Sequence, residues 1–422
     1  MNELEQATPV RQPAPGVEPV TRPAGVFAHR DFRLLWLGQL VSNLGDSFLN
    51  LALLWLVKEL TGSALLMGTV MAAYSLPFVL VGGIAGVYAD RWEKRRLMIA
   101  CDLLRAGLLA VFVALYFADA VSWHLVLPMA VAMGSATAFF EPARQGSLVY
   151  LVKEHELTQA NSFSMLTRQA AQMAGPVLAG LVVATWSVGV AVVIDLVTFL
   201  VSAAALGLMR LATPRKAAGR GLGAALADLK EGLAALVGHP VLRWVFPLGI
   251  VGNFLFGPIP VLLPLFADQV STLGPVAMGY LEGAAGAGML LGSLVIGVVG
   301  GRWRKGRTGI TAFFGMSLAT IAFGLSRSLA PAVAGFTAWG FFNPLINVPI
   351  TTMAQQEIPA EQHGRVFGVF LAAIMAAQPI SMAFGGVLGD ALGVRAVYTG
   401  SGVIFLGLAL FAASLRPLRE AR

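Results

Sequence analysis

The chain has 422 residues, of which 57% are hydrophobic and 12% charged, with 48 Gly and a mean hydropathy of +0.76. Soluble domains carry about 25% charge, so a soluble globular fold is excluded. The net charge of +7 does not mark a nucleic-acid binder, because the basic residues sit in short clusters between apolar runs. A single cysteine, Cys101, rules out an internal disulfide, and the five scattered histidines offer no metal-ligand spacing.

Residues 1–28 carry five prolines and several acids and no apolar core of signal-peptide length, which predicts a disordered tail. Nine later stretches of 19 or more residues contain no Asp, Glu, Lys or Arg: 60–89, 120–140, 169–194, 244–267, 283–301, 308–326, 328–356, 366–389 and 396–415. Three more apolar segments are interrupted by charge: 34–57 by Asp46, 97–118 by Asp102 and Arg105, and 186–209 by Asp195. Each is long enough for one helix across a bilayer, which predicts an all-α membrane protein with twelve transmembrane helices.

Of the 29 Lys and Arg residues, 24 fall on one side of this arrangement, while Lys58, Arg327 and Arg395 fall on the other. The positive-inside rule then places both termini in the cytoplasm. The expected organisation is a tail over 1–28, a six-helix half over 29–209, a cytoplasmic linker over 210–240, a second half over 241–415 and a tail over 416–422.

The two halves repeat. At an offset of 210, His29, Arg33 and Asn43 fall on His239, Arg243 and Asn253; at 211, Arg91 falls on Arg302; at 202, Phe140-Glu141-Pro142 falls on Phe342-Asn343-Pro344. Two parallel six-helix repeats put a substrate site between the halves, near the bilayer midplane.

Residues 86–96 read G-V-Y-A-D-R-W-E-K-R-R after the second span. This resembles the G-x-x-x-D-R-x-G-R-R/K loop motif of the major facilitator superfamily, with Gly86, Asp90, Arg91, Lys94 and Arg95 at motif positions and Glu93 in place of the second glycine. Asp90 beneath the bundle can accept hydrogen bonds from a helix N-terminus or pair with Arg365, a gating contact for one state; a loop that merely sets topology is the plainer alternative. In span five, A-A-Q-M-A-G-P-V-L-A-G (170–180) is similar to the family's antiporter motif, keeping Gly175, Pro176 and Gly180. It reads either as a flexing, kinked helix or as close packing.

With 32–46, 140–148 and 157–162, the resemblance narrows to the drug and siderophore exporter branch, which includes enterobactin exporters and macrolide efflux proteins. It implies the superfamily fold and an inner-membrane exporter of amphipathic molecules driven by protons. The implied partners are a small amphipathic substrate, protons and membrane lipids, with no cofactor and a monomeric state. A lipid or lysolipid flippase and a proton symporter working in uptake are the alternatives, and a non-transporting receptor on the same fold is a third.

A carboxylate at helix depth costs at least about 2.5 kcal/mol unless it is neutralised, paired or hydrated, so Asp46, Asp195 and Glu282 are the proton-coupling candidates. A structural role is the competing reading for Asp46 and Asp195, and meeting a cationic cargo or reaching water by snorkelling for Glu282. Gln39, Asn43 and Asp46 share one helix face. Gln169, Gln172, Asn253, Asn343, Asn347 and Gln378 are further cavity candidates, with interhelical bonding as the alternative. Asp102 and Arg105 read as a helix-face pair supporting the 86–96 loop rather than as transport residues. Neither a nucleotide-binding P-loop nor a nucleophile elbow occurs, so ATP-driven pumping and hydrolysis are not expected.

Overall fold

The structure, a computed structural model, describes residues 25–211, 222–300, 304–358 and 363–420. No strand occurs among the described residues. The first six long helices are α1 (Arg30–Thr61), α2 (Ala64–Arg91), α3 (Lys94–Phe117), α4 (Trp123–Ser147), α5 (Leu157–Thr185) and α6 (Val188–Leu208). A linker helix α7 (Leu222–Gly238) precedes α8 (Leu242–Phe256), α9 (Pro258–Val270), α10 (Pro275–Val299) and α11 (Lys305–Leu325). Then come α12 (Leu329–Glu357), α13 (His363–Leu392), α14 (Val394–Ser414) and the short α15 (Arg416–Glu420).

With α8 and α9 taken as one span, eleven helices among the described residues are long and apolar enough to cross a membrane. Helix α5 packs among them as the twelfth. In hydrocarbon every backbone N–H and C=O must be satisfied within the chain, which is why these apolar runs are helices and nothing else.

Two helix boundaries differ from expectation. The fifth span starts at Leu157, not near 169, and ends at Thr185, where Trp186 and Ser187 break the chain before α6. Its first three turns are polar, so the charge-free window over 169–194 missed them and ran across the true break. The seventh span bends at Gly257, because Pro258 has no N–H to continue the ladder. Ser381 of α13 donates to the Phe254 carbonyl beside that bend. The linker between the halves also carries α7, which packs against α13.

The same neighbours recur in each half: α2 on α4, α3 on α4 and α3 on α6 are matched by α10 on α12, α11 on α12 and α11 on α14. Across the halves, α2 packs against α13 and α5 against α10. Turn chemistry is local and explicit. Gly62 ends α1 in the left-handed region (φ 62°), giving its N–H to the Lys58 carbonyl, and Ser63 then caps α2 by accepting the Leu66 N–H at 3.3 Å. Outside the bundle, Glu156 accepts the Lys153 N–H at 3.1 Å and faces His29 Nε2 at 2.7 Å. The Lys153 backbone bond and then His29 hold its carboxyl below the usual glutamate range.

The α1–α6 seam is tight because α1 presents glycine to it. A methyl group on Gly45 would overlap the Thr198 hydroxyl and the Asp195 carboxylate, and one on Gly38 would stand 3.5 Å from the Ser202 backbone. Gly45→Ala is therefore expected to destabilise the protein by about 1–3 kcal/mol. Thermal unfolding of the purified protein in detergent reads this as a lowered melting temperature; an unchanged value would mean that the seam has slack.

Candidate functional site

Call the end of the bundle carrying the α2–α3 turn and the start of α1 the basic face. Toward this face the two halves stand apart around a cavity of about 920 Å³. Its wall comes from α2 and α4 on one side (Phe78, Val79, Glu141, Gln145) and from α8 and α13 on the other (Phe246, Ile250, Leu371, Met375), with Leu233 of α7 at the edge.

At the opposite face the halves are sealed. At Gly180 and Gly279 helices α5 and α10 cross backbone to backbone: a methyl group on Gly180 would lie 2.5 Å from the Pro275 carbonyl, and one on Gly279 would lie 2.5 Å from that of Pro176. Gly175, on the same helix, abuts Ser47 of α1. The residues 175, 176 and 180 thus stand at helix crossings.

Polar contacts close the same end. Asp390, in the last turn of α13, accepts Ser63 Oγ at 2.8 Å and the backbone N–H groups of Ala64 and Leu65 at 2.7 and 3.1 Å. A carboxylate from one half therefore caps the first turn of α2 in the other, where the helix dipole favours negative charge. Lys58 of α1 pairs with Asp268 of α9 beside it.

Of the expected gating loop, Arg91 is exposed, Lys94 is buried with Nζ donating to the Ala89 carbonyl at 2.8 Å, and Arg95 donates to the Leu206 and Gly207 carbonyls at the end of α6. The side chains of Asp90 and Arg365, and the surroundings of Gly86, lie outside the described residues.

The expected cavity residues divide into separate places. Gln39 and Asn43 line a small polar pocket with Arg144 and Arg168, and Asn43 donates to the Gln39 carbonyl at 2.6 Å. Asn253, Asn343 and Asn347 line a pocket of about 100 Å³ inside the second half, with Phe256, Phe313 and Met316. Gln169 is half-buried, Gln172 and Gln378 are exposed, and these three line neither pocket. The Asn343 amide is taken up by Asn347, whose Nδ2 donates to its Oδ1 at 3.1 Å.

Asp46 is half-buried near the middle of α1. Asp195 is fully buried in α6, where Oδ1 accepts Thr198 Oγ1 at 3.0 Å and Oδ2 has no partner among the described residues. Glu282 lies two turns into α10, half-buried and unpaired among the described residues, remote from both in the other half.

Two features escaped the sequence. Glu141 on the cavity wall is clamped by Arg144 (Nη2 2.5 Å, Nε 2.9 Å) from its own helix and by Arg168 (2.9 Å) from α5. Its overlay on Asn343 in the repeat was the available signal. Asp102 and Arg105 do pair, but they do not support the loop: both are buried in the core between α3, α4 and α6. An apolar helix with one acid and one base three residues apart looks like an interfacial pair until the neighbouring helices are in place.

The bundle thus has doubled helix neighbours and a cavity between its halves that is closed at one end. The comparisons give the family. The sequence profile of the Major Facilitator Superfamily matches residues 35–375, and the chain belongs to that family. It is 24% identical over 393 residues to macrolide efflux protein A of Streptococcus pyogenes, covering 92% of this chain and 96% of that one. It is 30% identical over 407 residues to the multidrug efflux pump Tap of Mycolicibacterium fortuitum, covering 92% and 96%.

Among solved structures, a bacterial homolog of the human lysosomal transporter Spinster, inward-facing and unoccupied, aligns with a TM-score of 0.72 at 13% identity, over 93% of this chain and 97% of that one. The nucleoside transporter NupG aligns at 0.70 and 12%, over 91% and 98%. These two show the fold. The chain is a multi-pass membrane transporter, not an enzyme.

Removing the cap on α2 loosens the sealed end. In a Cys101→Ser background, a cysteine at the buried first turn of α10, Ala277→Cys, reports opening by its labelling with a membrane-impermeant thiol reagent. Losing a cap worth about 1 kcal/mol should raise the labelling rate of the Asp390→Ala variant about fivefold. An unchanged rate would show that Asp390 does not hold this end shut.

Proposed function

We propose that the protein exports small amphipathic organic molecules, of drug, macrolide or siderophore type, across the inner membrane in exchange for protons. The observation that carries this reading is the cavity of about 920 Å³ between the halves, largely apolar, with a clamped carboxylate on one wall and a latched far end. Such a space suits a cargo with a large apolar body and few polar groups. The efflux relatives, matched over nearly their whole length, support the direction and the cargo class.

The basic face is cytoplasmic by the positive-inside rule, so both termini are cytoplasmic and the described state is inward-facing. Cargo enters the cavity from the cytoplasm or the inner leaflet. Closure of the basic face and release of the Asp390 and Lys58 contacts then expose it to the outside. Asp46, at mid-membrane on a helix that touches both α5 and α6, is the group we assign to proton exchange, with Asp195 beside the same helix; Glu282 stands alone in the other half as a secondary candidate. The chain acts as a monomer, and lipid surrounds its apolar flanks.

Accumulation of ethidium and of a macrolide in efflux-deficient cells tests this. Wild-type protein should lower accumulation, and either Asp46→Asn at matched expression or a protonophore should abolish the effect. Unchanged export by Asp46→Asn would remove that residue from coupling. Accumulation equal to the empty vector, with flipping of labelled lysolipid in vesicles, would replace export of soluble drugs by lipid transfer.

A further inference from the structure

The first half holds an ionic cluster in its core that export of an amphipathic molecule does not by itself require. Asp102 and Asp195 are 0% exposed and Arg105 is 2% exposed. Arg105 Nη2 bonds Asp102 Oδ1, and its guanidinium lies 4.2 Å from the ring centroid of Phe199 and 4.6 Å from that of Phe140. Two aromatic faces and one carboxylate from three directions leave the cation little room to move.

The pair does not exhaust the cluster. The Asp102 carboxyl also faces the Ser202 hydroxyl, while Arg105 Nε and Asp195 Oδ2 are buried without partners among the described residues. Gly45 brings the α1 backbone against the Asp195 carboxylate, next to Asp46. Phe199, whose ring lies against Arg105, is one helical turn beyond Asp195, which puts the cation on the Asp195 side of α6, and Asp46 adjoins the Gly45 that meets Asp195. Three acids and one base therefore share one region of low dielectric, and Asp102 already takes up that base. Two carboxylates so placed cannot both stay ionised at low cost, so they titrate as a unit. Tyr74 of α2, Glu141 of α4 and Arg168 of α5 also face this unit, and Glu141 is shared between Arg168 and Arg144, which leaves that group one net positive charge.

We propose that Arg105 is a positioning residue for proton coupling: fixed by Asp102, Phe140 and Phe199, its charge holds Asp46 and Asp195 together as one proton-binding unit in the wall between α1, α3 and α6. Asp102 sets how much of that charge reaches the two acids. The inference rests on the proton-coupled reading above and adds two residues to it.

The test needs no cargo. Purified protein in lipid nanodiscs is titrated while the infrared band of protonated carboxyl groups is followed, and the component lost in Asp46→Asn and in Asp195→Asn is assigned to the unit. Arg105→Gln removes the stabilising cation and should move that component to higher pH by about one unit, and Arg105→Lys should bring it back to within about half a unit of wild type. Asp102→Asn frees the guanidinium from its partner and should move it the opposite way, to lower pH.

Opposite shifts are the signature, since a merely structural loss would not reverse sign between the two partners. Shifts of the same sign, or a component that stays within about 0.3 unit in both variants, would overturn the proposal. Should Arg105→Gln not fold, Asp102→Asn and Arg105→Lys decide alone, by the presence or absence of the downward shift in the first and of a near-wild-type value in the second. Failure of the drug assay with an intact titration rejects the cargo and leaves this unit standing.

Discussion

Everything in this molecule follows from how closely helices approach where no hydrophobic effect pulls them together. Within a bilayer the gain comes from van der Waals contact and from polar groups that find partners, so glycine decides where helices touch. Gly180 and Gly279 let α5 and α10 cross backbone to backbone, and Gly68 does the same for α2 against α13, where a methyl group would meet Gly386 at 3.2 Å. These crossings lie toward one end of the bundle. At the other end bulky apolar residues such as Phe246 and Met375 face open space, and the cavity is the geometric remainder of contact made at the far end.

That geometry explains why the latch is polar while the seams are apolar. Packed glycine seams are satisfied by shape and tolerate small rotations poorly. Asp390 on the N-terminal turn of α2 and the Lys58–Asp268 pair sit where water can replace the partner once the halves separate. The antiporter-like run of α5 belongs to this scheme: Gly175 and Gly180 serve crossings with α1 and α10, and Pro176 puts its carbonyl where Gly279 passes.

The sequence made the all-helical membrane fold and the family legible, because hydrocarbon imposes a length and a charge rule that a single chain displays openly. It was less informative wherever a polar residue answers a partner on another helix. The start of α5 is polar and hides its span: Asn161 and Ser162 bond carbonyls of their own helix, and Arg168 answers Glu141 of α4. Asp390 was passed over because the charge-free stretch 366–389 ended one residue before it. Asp102 and Arg105 were visible as a pair, but their burial depends on Phe140 and Phe199, which lie far along the chain.

The repeat itself argues that the ionic cluster is not part of the framework. At the offset of 210 that overlays Asn43 on Asn253, Asp46 falls on Phe256; at 211, which overlays Arg91 on Arg302, Asp102 and Arg105 fall on Phe313 and Met316. Those three apolar residues share a pocket with Asn253, Asn343 and Asn347 in the second half. One frame of helices thus carries ionisable groups in one copy and an aromatic, neutral pocket in the other. If the charges served packing alone, the second half would need them too; it packs the same helix neighbours without them. Buried charge is penalised in hydrocarbon, and the same helix neighbours pack without it in the second half, so packing alone does not account for it.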